Sequence, residues 1–397
     1  MRAVWQIVAA VLVFAACSQS PQSGVEAPAG RGWSVAPIVE NTHNAIAERL
    51  PRVSYQGGPF LRRPRIVTVT FTGDNPIRVD RLVAFDQMIT HGEWWHQAVE
   101  AYCTGRQDCI EDGDPASHIH IDTPLPAQVR DVDIEQLLVG LAGAGRFDPA
   151  QPDLLLMVYP PAGVQLSDAA SGRYCDGPRG YHRSARINDV SVAYAVVPHC
   201  GELDQTTTTG SHEILEAATN PDPSMPGFAL DRGSASGGFT AAGAEPADPC
   251  GLITDHQPQI NVNGVALHRM WSNRAAAAGH DPCQPAPAEQ PYLALAPDQP
   301  TIRLRLANVG DTATIGLQAF SDQSVPSWGV SVQDLTESEQ HHHYLDLSLN
   351  VKAVTPGQRA TLTLTARDIA PGQRAIVALR STFAGHTDVW PVAVMMR

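Results

Sequence analysis

Positive charge is scarce in this chain of 397 residues: 27 Lys and Arg face 41 Asp and Glu, for a formal net charge of −14. The compact basic cluster Arg62-Arg63-Pro64-Arg65 has nothing basic or aromatic to extend it. That balance excludes the phosphate-neutralising surface a nucleic-acid partner needs, and the cluster reads as a solvated domain edge. The apolar run from Ala3 to Ala16, interrupted by Gln6, is shorter than the ~20 residues that span a bilayer, so no transmembrane anchor is expected. No cysteine pair has the Cys-x-x-Cys spacing of a zinc ribbon or redox site. Gly140-Leu141-Ala142-Gly143-Ala144-Gly145 is glycine-rich, but no Lys-Ser or Lys-Thr follows it to make a phosphate loop. A serine-hydrolase elbow is also missing from the strand ends.

What is present at the start is an export signal over residues 1–17: Arg2, the apolar run, then small residues. Phe14-Ala15-Ala16-Cys17 resembles a bacterial lipobox with Phe where Leu is commoner. On that resemblance Cys17 becomes a lipidated N-terminus, and the protein is tethered to a membrane of the bacterial cell envelope. Ordinary signal cleavage without lipid is the alternative. Setting Cys17 aside leaves Cys103, Cys109, Cys175, Cys200, Cys250 and Cys283, an even number in an exported chain, which reads as three disulfides. Order along the chain favours 103 with 109, 175 with 200 and 250 with 283; a nucleophilic cysteine is the competing reading.

The expected organisation is a linker and N-terminal extension over 18–61, an α/β (α+β) domain over 62–283, a Pro-rich spacer over 284–291 and an all-β domain over 292–397. In the first domain Ile66–Phe71, Leu154–Tyr159 and Val190–Val197 read as strands. Asp80–Ala101 reads as helix broken near Gly92, and Asp133–Leu141 as a helix with Asp131 as N-cap. Strands alternating with helices predict a layered sheet. In the second domain Thr301–Leu306, Tyr344–Leu349 and Ala360–Thr365 alternate with period two. With Ala313–Phe320, Trp328–Val332, Ala375–Leu379 and Val389–Met395, they predict about seven strands and an immunoglobulin-like sandwich.

The chemistry concentrates in Ser211-His212-Glu213-Ile214-Leu215-Glu216-Ala217-Ala218-Thr219-Asn220-Pro221. Residues four apart share a helix face, so His212 and Glu216 can address one ion, with Glu213 beside them. This is the spacing of the zincin His-Glu-x-x-His helix with Glu in place of the second His, and an amphipathic helix with a solvated acidic face is its plain alternative. His118 and His120 lie two apart on a predicted strand and share a face; a solvated strand face is the simpler account. His341-His342-His343 reads as a loop.

Four separated segments carry a wider resemblance: Leu154–Pro161 followed by Gly163; Cys175 with Gly180-Tyr181-His182; the His212 helix ending at Asn220-Pro221; and Glu245-Pro246-Ala247-Asp248-Pro249-Cys250 followed by Asn263-Gly264 and Trp271-Ser272-Asn273. In order and spacing they resemble the secreted exordium, or phosphate-induced-protein-like, family. The resemblance implies a zincin-like domain in which Asp248 or Glu245 supplies a further metal ligand and His182 completes the shell or contacts substrate. Between Pro223 and Glu245 a Gly, Ala and Ser-rich insertion departs from the family pattern, so substrate specificity does not carry over.

Two functions follow as expectations. One is a lipid-anchored metallopeptidase acting on a peptide or cell-envelope polymer, with Glu213 as general base and one zinc ion. A shell of one His and two carboxylates is more anionic than two His and one Glu, so it also suits manganese or calcium. The other is a non-enzymatic envelope protein with a structural or degenerate metal site, whose sandwich binds glycan or protein.

Overall fold

The computed structural model describes residues 46–105, 108–168, 172–176, 179–231, 238–241, 243–298, 304–336, 343–368 and 374–396. The export signal, Cys17, the first part of the extension, residues 301–303 of one predicted strand, and His341 and His342 lie outside these. No described helix is long and apolar enough to cross a membrane.

The first part is built on a mixed five-stranded sheet of β1 (Arg65–Phe71), β2 (Asp114–Ile121), β3 (Leu154–Val158), β4 (Tyr181–Ile187) and β5 (Val190–Val196), in the order β2-β1-β3-β5-β4. All neighbours are parallel except the edge strand β4, which runs antiparallel to β5. The uninterrupted apolar run of β3 is explained by burial of both sheet faces. Leu154, Leu156 and Val158 enter one core, while Leu155, Met157 and Tyr159 enter the other.

Helices cover both faces. The predicted break near Gly92 separates α1 (Pro76–Met88) from α2 (Gly92–Val99). On the opposite face, α3 (Asp131–Gly143) buries Ile134, Leu138 and Leu141. Asp131 is not its N-cap: Arg130 holds that position, and its backbone N–H donates to Asp133 Oδ2 at 2.9 Å. Asp131 instead turns inward, where Tyr194 Oη donates to it at 2.8 Å and Arg183 pairs with it. On the α1 and α2 face lies α4 (Leu203–Thr219), the helix of His212, with Ile214, Leu215, Ala217 and Ala218 fully buried. A hairpin of β6 (Gln259–Val262) and β7 (Val265–His268) turns at Asn263 and Gly264, both at positive φ as a tight hairpin requires, and β7 packs along α4.

Among the described residues the second part is a sandwich of nine strands rather than about seven. The four-stranded sheet orders β8 (Leu293–Pro297), β10 (Thr312–Ser321), β14 (Arg359–Ala366) and β12 (Leu345–Leu349). The five-stranded sheet orders β9 (Leu304–Leu306), β16 (His386–Met396), β15 (Arg374–Phe383), β11 (Trp328–Asp334) and β13 (Ala353–Val354). The additional strands are β8, too apolar to show alternation, and β13, only two residues long. In β14 every second residue is buried, which points Leu362, Leu364 and Ala366 into the core between the sheets.

The two parts share one continuous hydrophobic core. Phe239 stands edge-on to Trp271 of the first part at 5.7 Å and to Trp390 of the sandwich at 5.2 Å. Arg49 lies 4.8 Å from the Phe320 ring centre and donates to Pro297 O at 2.7 Å. Three disulfides form, 103–109, 175–200 and 250–283, in the pairing that chain order favours.

Candidate metal centre

Four consecutive threonines, Thr206 to Thr209, give α4 poor intrinsic helix propensity, so burial against the sheet holds the helix. Burying Ile214 and Leu215 alone contributes roughly 1.5–3 kcal/mol each. The helix stops at Asn220, whose N–H reaches Glu216 O at 2.6 Å, because Pro221 cannot continue it. Glu213 and Glu216 are only 4% and 3% exposed. This excludes the solvated acidic face, since buried carboxylates cost several kcal/mol unless paired or ligating.

The partners come from four elements. His212 Nε2 lies 3.1 Å from Glu216 Oε2 and 3.9 Å from Oδ1 of Asp248, the first residue of a short helix, Asp248–Ile253. His182, on edge strand β4, places Nδ1 3.4 Å from Glu213 Oε2 and 3.7 Å from Glu216 Oε2, with Nε2 3.3 Å from Glu245 Oε1. Two triads with metal-ligand character therefore share Glu216: His212, Glu216 and Asp248; and His182, Glu216 and Glu245. Buried Asn220 holds Glu245, donating from Nδ2 to Oε1 at 3.1 Å while its Oδ1 accepts from Phe228 N at 2.9 Å.

The six residues singled out from sequence thus converge, and the structure adds His268. Its Nδ1 contacts Arg269 O at 2.7 Å, its Nε2 faces His212 Nδ1 at 3.4 Å, and its backbone N–H donates to Ser211 Oγ at 2.7 Å. No spacing rule links residues 56 apart in sequence. The signal that could have found it is the Asn263-Gly264 turn, which predicts a strand ending at His268. His118 and His120 share a strand face and both reach Thr70 Oγ1, at 2.8 and 3.0 Å, but belong to no three-ligand group among the described residues.

Charge is concentrated here. Burial works against the His212 imidazolium, yet Glu216, Glu213 and Asp248 outweigh it and raise its pKa to about 10. His182 is likewise opposed by burial and raised well above the usual range by Glu213, Glu245 and Glu216. Burial lifts Glu216, with His212 pulling against it and Glu245 adding to it; burial and the Glu216 charge push Asp248 well up. Glu245 moves down, because contacts with His182 overcome its desolvation. Burial and neighbouring His212 drive His268 well below the usual imidazole value. Carboxylates and imidazoles crowded together in a buried site mark a place where a cation can take over the protons' role.

Two glycines let the backbone approach. A Cβ on Gly180 would sit 2.8 Å from Glu213 Oε1, and one on Gly243 would sit 1.6 Å from Asp248 Oδ2. Open depressions of about 830 and 750 Å³ flank the cluster, and both are lined by Gly180, His212, Glu213 and Asp248.

No protein-family model matches the chain, and no curated protein does. Among solved structures, a Bacteroides ovatus GH5 xyloglucanase in complex with a XXXG heptasaccharide is 15% identical, over 27% of this chain and 19% of that one, at TM-score 0.17. The titin M3 domain is 7% identical over 27% of this chain and 96% of its own, at TM-score 0.18. The twitchin kinase region from C. elegans is 14% identical over 27% and 16%, at TM-score 0.18. Scores this low assign neither fold nor function.

Proposed function

We propose that this chain is an exported, lipid-anchored metallohydrolase, a zincin-like peptidase of exordium type, in which His212, Glu216 and Asp248 hold a divalent cation and Glu213 is the general base. The observation that carries the reading is Glu216: its Oε2 lies between two imidazoles, while its Oε1 is buried with no hydrogen-bond partner. Buried polar atoms are left unpaired only rarely, and a cation would satisfy this one. The donor set, imidazole nitrogen and carboxylate oxygen, fits zinc first and manganese or calcium next.

A bound cation would supply Lewis acidity to a scissile carbonyl and to the attacking water. Glu213 lines both depressions, so its carboxylate can take a proton from that water and return it to the leaving amine. His182 sits beside Glu213 at 3.4 Å and is available to hold it or to donate to substrate. Edge strand β4 pairs only with β5 among the described residues, leaving a free edge where an extended peptide or other envelope polymer can add. The disulfides suit an oxidising compartment, as expected for a protein tethered outside the cytoplasm through Cys17. The sandwich, read as immunoglobulin-like, serves as a spacer or a surface-binding module.

The test is metal content by mass spectrometry on the soluble chain from Ser18 onward, with a peptide-library assay. Bound zinc, manganese or calcium that falls in His212→Ala, and turnover that drops roughly 10²–10⁴-fold in Glu213→Gln with metal retained, support the reading. Metal without hydrolysis would favour the non-enzymatic binding protein. Unchanged turnover in Glu213→Gln would overturn the mechanism.

A further inference from the structure

We infer that the centre is built for two divalent cations bridged by Glu216, one held by His212 and Asp248 and the other by His182 and Glu245. This rests on the cation-binding reading above and goes beyond it in number, ligand assignment and ion class. Two donors about 2.0–2.2 Å from a shared tetrahedral ion stand roughly 3.3–3.6 Å apart. The His212 to Glu216 and Asp248 separations, 3.1 and 3.9 Å, bracket that range. On the other side His182 Nε2 stands 3.3 Å from Glu245 Oε1, at the edge of that range, while Nδ1 of the same ring lies 3.7 Å from Glu216 Oε2. In each triad one donor atom per residue lies within 4.8 Å of the others, and Glu216 belongs to both.

Two buried atoms point the same way independently of that spacing. Glu216 Oε1 has no hydrogen-bond partner, and neither has His182 Nε2, which lies near Glu245 but out of line for a hydrogen bond. Their residues are 3% and 6% exposed. A second ion between His182 Nε2 and Glu245 Oε1 would replace their 3.3 Å ion pair with two metal-ligand bonds. Glu245 is also prepared as a ligand rather than left to solvent, because buried Asn220 fixes one of its oxygens.

Charge agrees. Glu213, Glu216, Glu245 and Asp248 bring four carboxylates to one pocket, against neutral imidazoles once these act as ligands. One dication would leave a twofold negative remainder in a largely buried site, and two would balance it. Mixed nitrogen and carboxylate donors with a carboxylate bridge suit zinc or manganese, the pairing used by two-metal hydrolytic centres.

The experiment uses the soluble chain from Ser18 onward, stripped with chelator and titrated with Mn²⁺ or Zn²⁺. Bound equivalents are counted by mass spectrometry, and the Mn²⁺ form is examined by electron paramagnetic resonance. Two equivalents and an exchange-coupled manganese spectrum are expected. Glu245→Gln keeps an oxygen for Asn220 but removes the ligand charge, so it should bind one equivalent and give the spectrum of an isolated ion. Thermal melting checks that the variant is folded, and His212→Ala, also retaining one equivalent, tests the other half. One equivalent in the unmodified protein, or two that give no coupling and survive Glu245→Gln, overturns the two-ion centre while leaving the single-ion reading standing. No bound metal overturns both.

Discussion

His212 and His268 stand ring to ring, with Nδ1 of the first 3.4 Å from Nε2 of the second and their planes inclined by 76°. Because His268 Nδ1 donates to Arg269 O at 2.7 Å, its Nε2 offers only a lone pair. His212 must then keep a proton on Nδ1, which leaves Nε2, facing Glu216 and Asp248, as the nitrogen that gives up its proton when a cation binds. His268→Ala is therefore expected to weaken cation binding by about 10–100-fold without removing a ligand. His268→Gln, whose amide oxygen can accept the same proton, should recover much of that loss. Isothermal titration with zinc compares the two, and equal affinity in all three proteins would remove His268 from the site.

Gly243 leaves room for Asp248, and a methyl group there would occupy the space of Oδ2. Gly243→Ala should lower cation affinity at least about tenfold, on the scale of displacing a ligand's supporting group. Gly251→Ala is the control, because a Cβ there meets nothing within 4 Å. A similar effect from both changes would mean that the close approach is immaterial.

The Cys250–Cys283 bridge closes a separation of 33 residues and begins two residues after Asp248, whereas Cys103–Cys109 closes only 6. Chain-entropy reasoning gives the longer loop about 1.5 kcal/mol more stabilisation. Replacing Cys250 and Cys283 by Ser should thus lower the unfolding midpoint in guanidinium further than replacing Cys103 and Cys109. The longer-loop variant alone should also bind metal more weakly. A reversed order of midpoints would overturn the loop-length argument, and equal metal affinity in the two variants would mean that Asp248 does not depend on that bridge.

Asp86 sits on α1 in the core, where Thr68 Oγ1 and Tyr159 Oη donate to it at 2.7 and 2.8 Å. Burial raises its pKa from 3.8 to about 7, against the pull of those hydrogen bonds. A carboxyl that holds its proton more tightly when folded favours the native state at low pH, and the advantage disappears as pH rises through the folded pKa. Its contribution should therefore decline between about pH 4 and pH 7, by up to about 4 kcal/mol at ~1.4 kcal/mol per pKa unit. Asp86→Asn, nearly isosteric and uncharged, should flatten that slope in urea melts across this window. A slope as steep as that of the unmodified protein would show that Asp86 titrates normally.

Much of this arrangement could be read along the chain because it is local. The i, i+4 spacing of His212 and Glu216, the apolar run of β3 and the alternation of β14 each follow from one element's geometry. Cysteine order anticipated the disulfides because the paired residues are near neighbours in sequence. What could not be read depends on tertiary closure. His268 reaches His212 through a hairpin, and the division of Asp248 and Glu245 between two imidazoles depends on how the segment after the insertion crosses α4. Asp131 looked like a cap because Asp often is one, but its buried contacts with Arg183 and Tyr194 come from other strands. Strand β8, buried throughout, has no polar alternation by which to recognise it.

Phe239, wedged between Trp271 and Trp390, ties the sandwich to the layer that carries the ligands. Calorimetry should accordingly register one cooperative heat-absorption peak rather than two. A protease that nicks the Pro-rich stretch at 284–291 would not release an intact first part. It would strip one wall from a ring stack that the ligand-bearing half cannot rebuild alone, so the sandwich behaves as a folding partner before it can serve as a spacer.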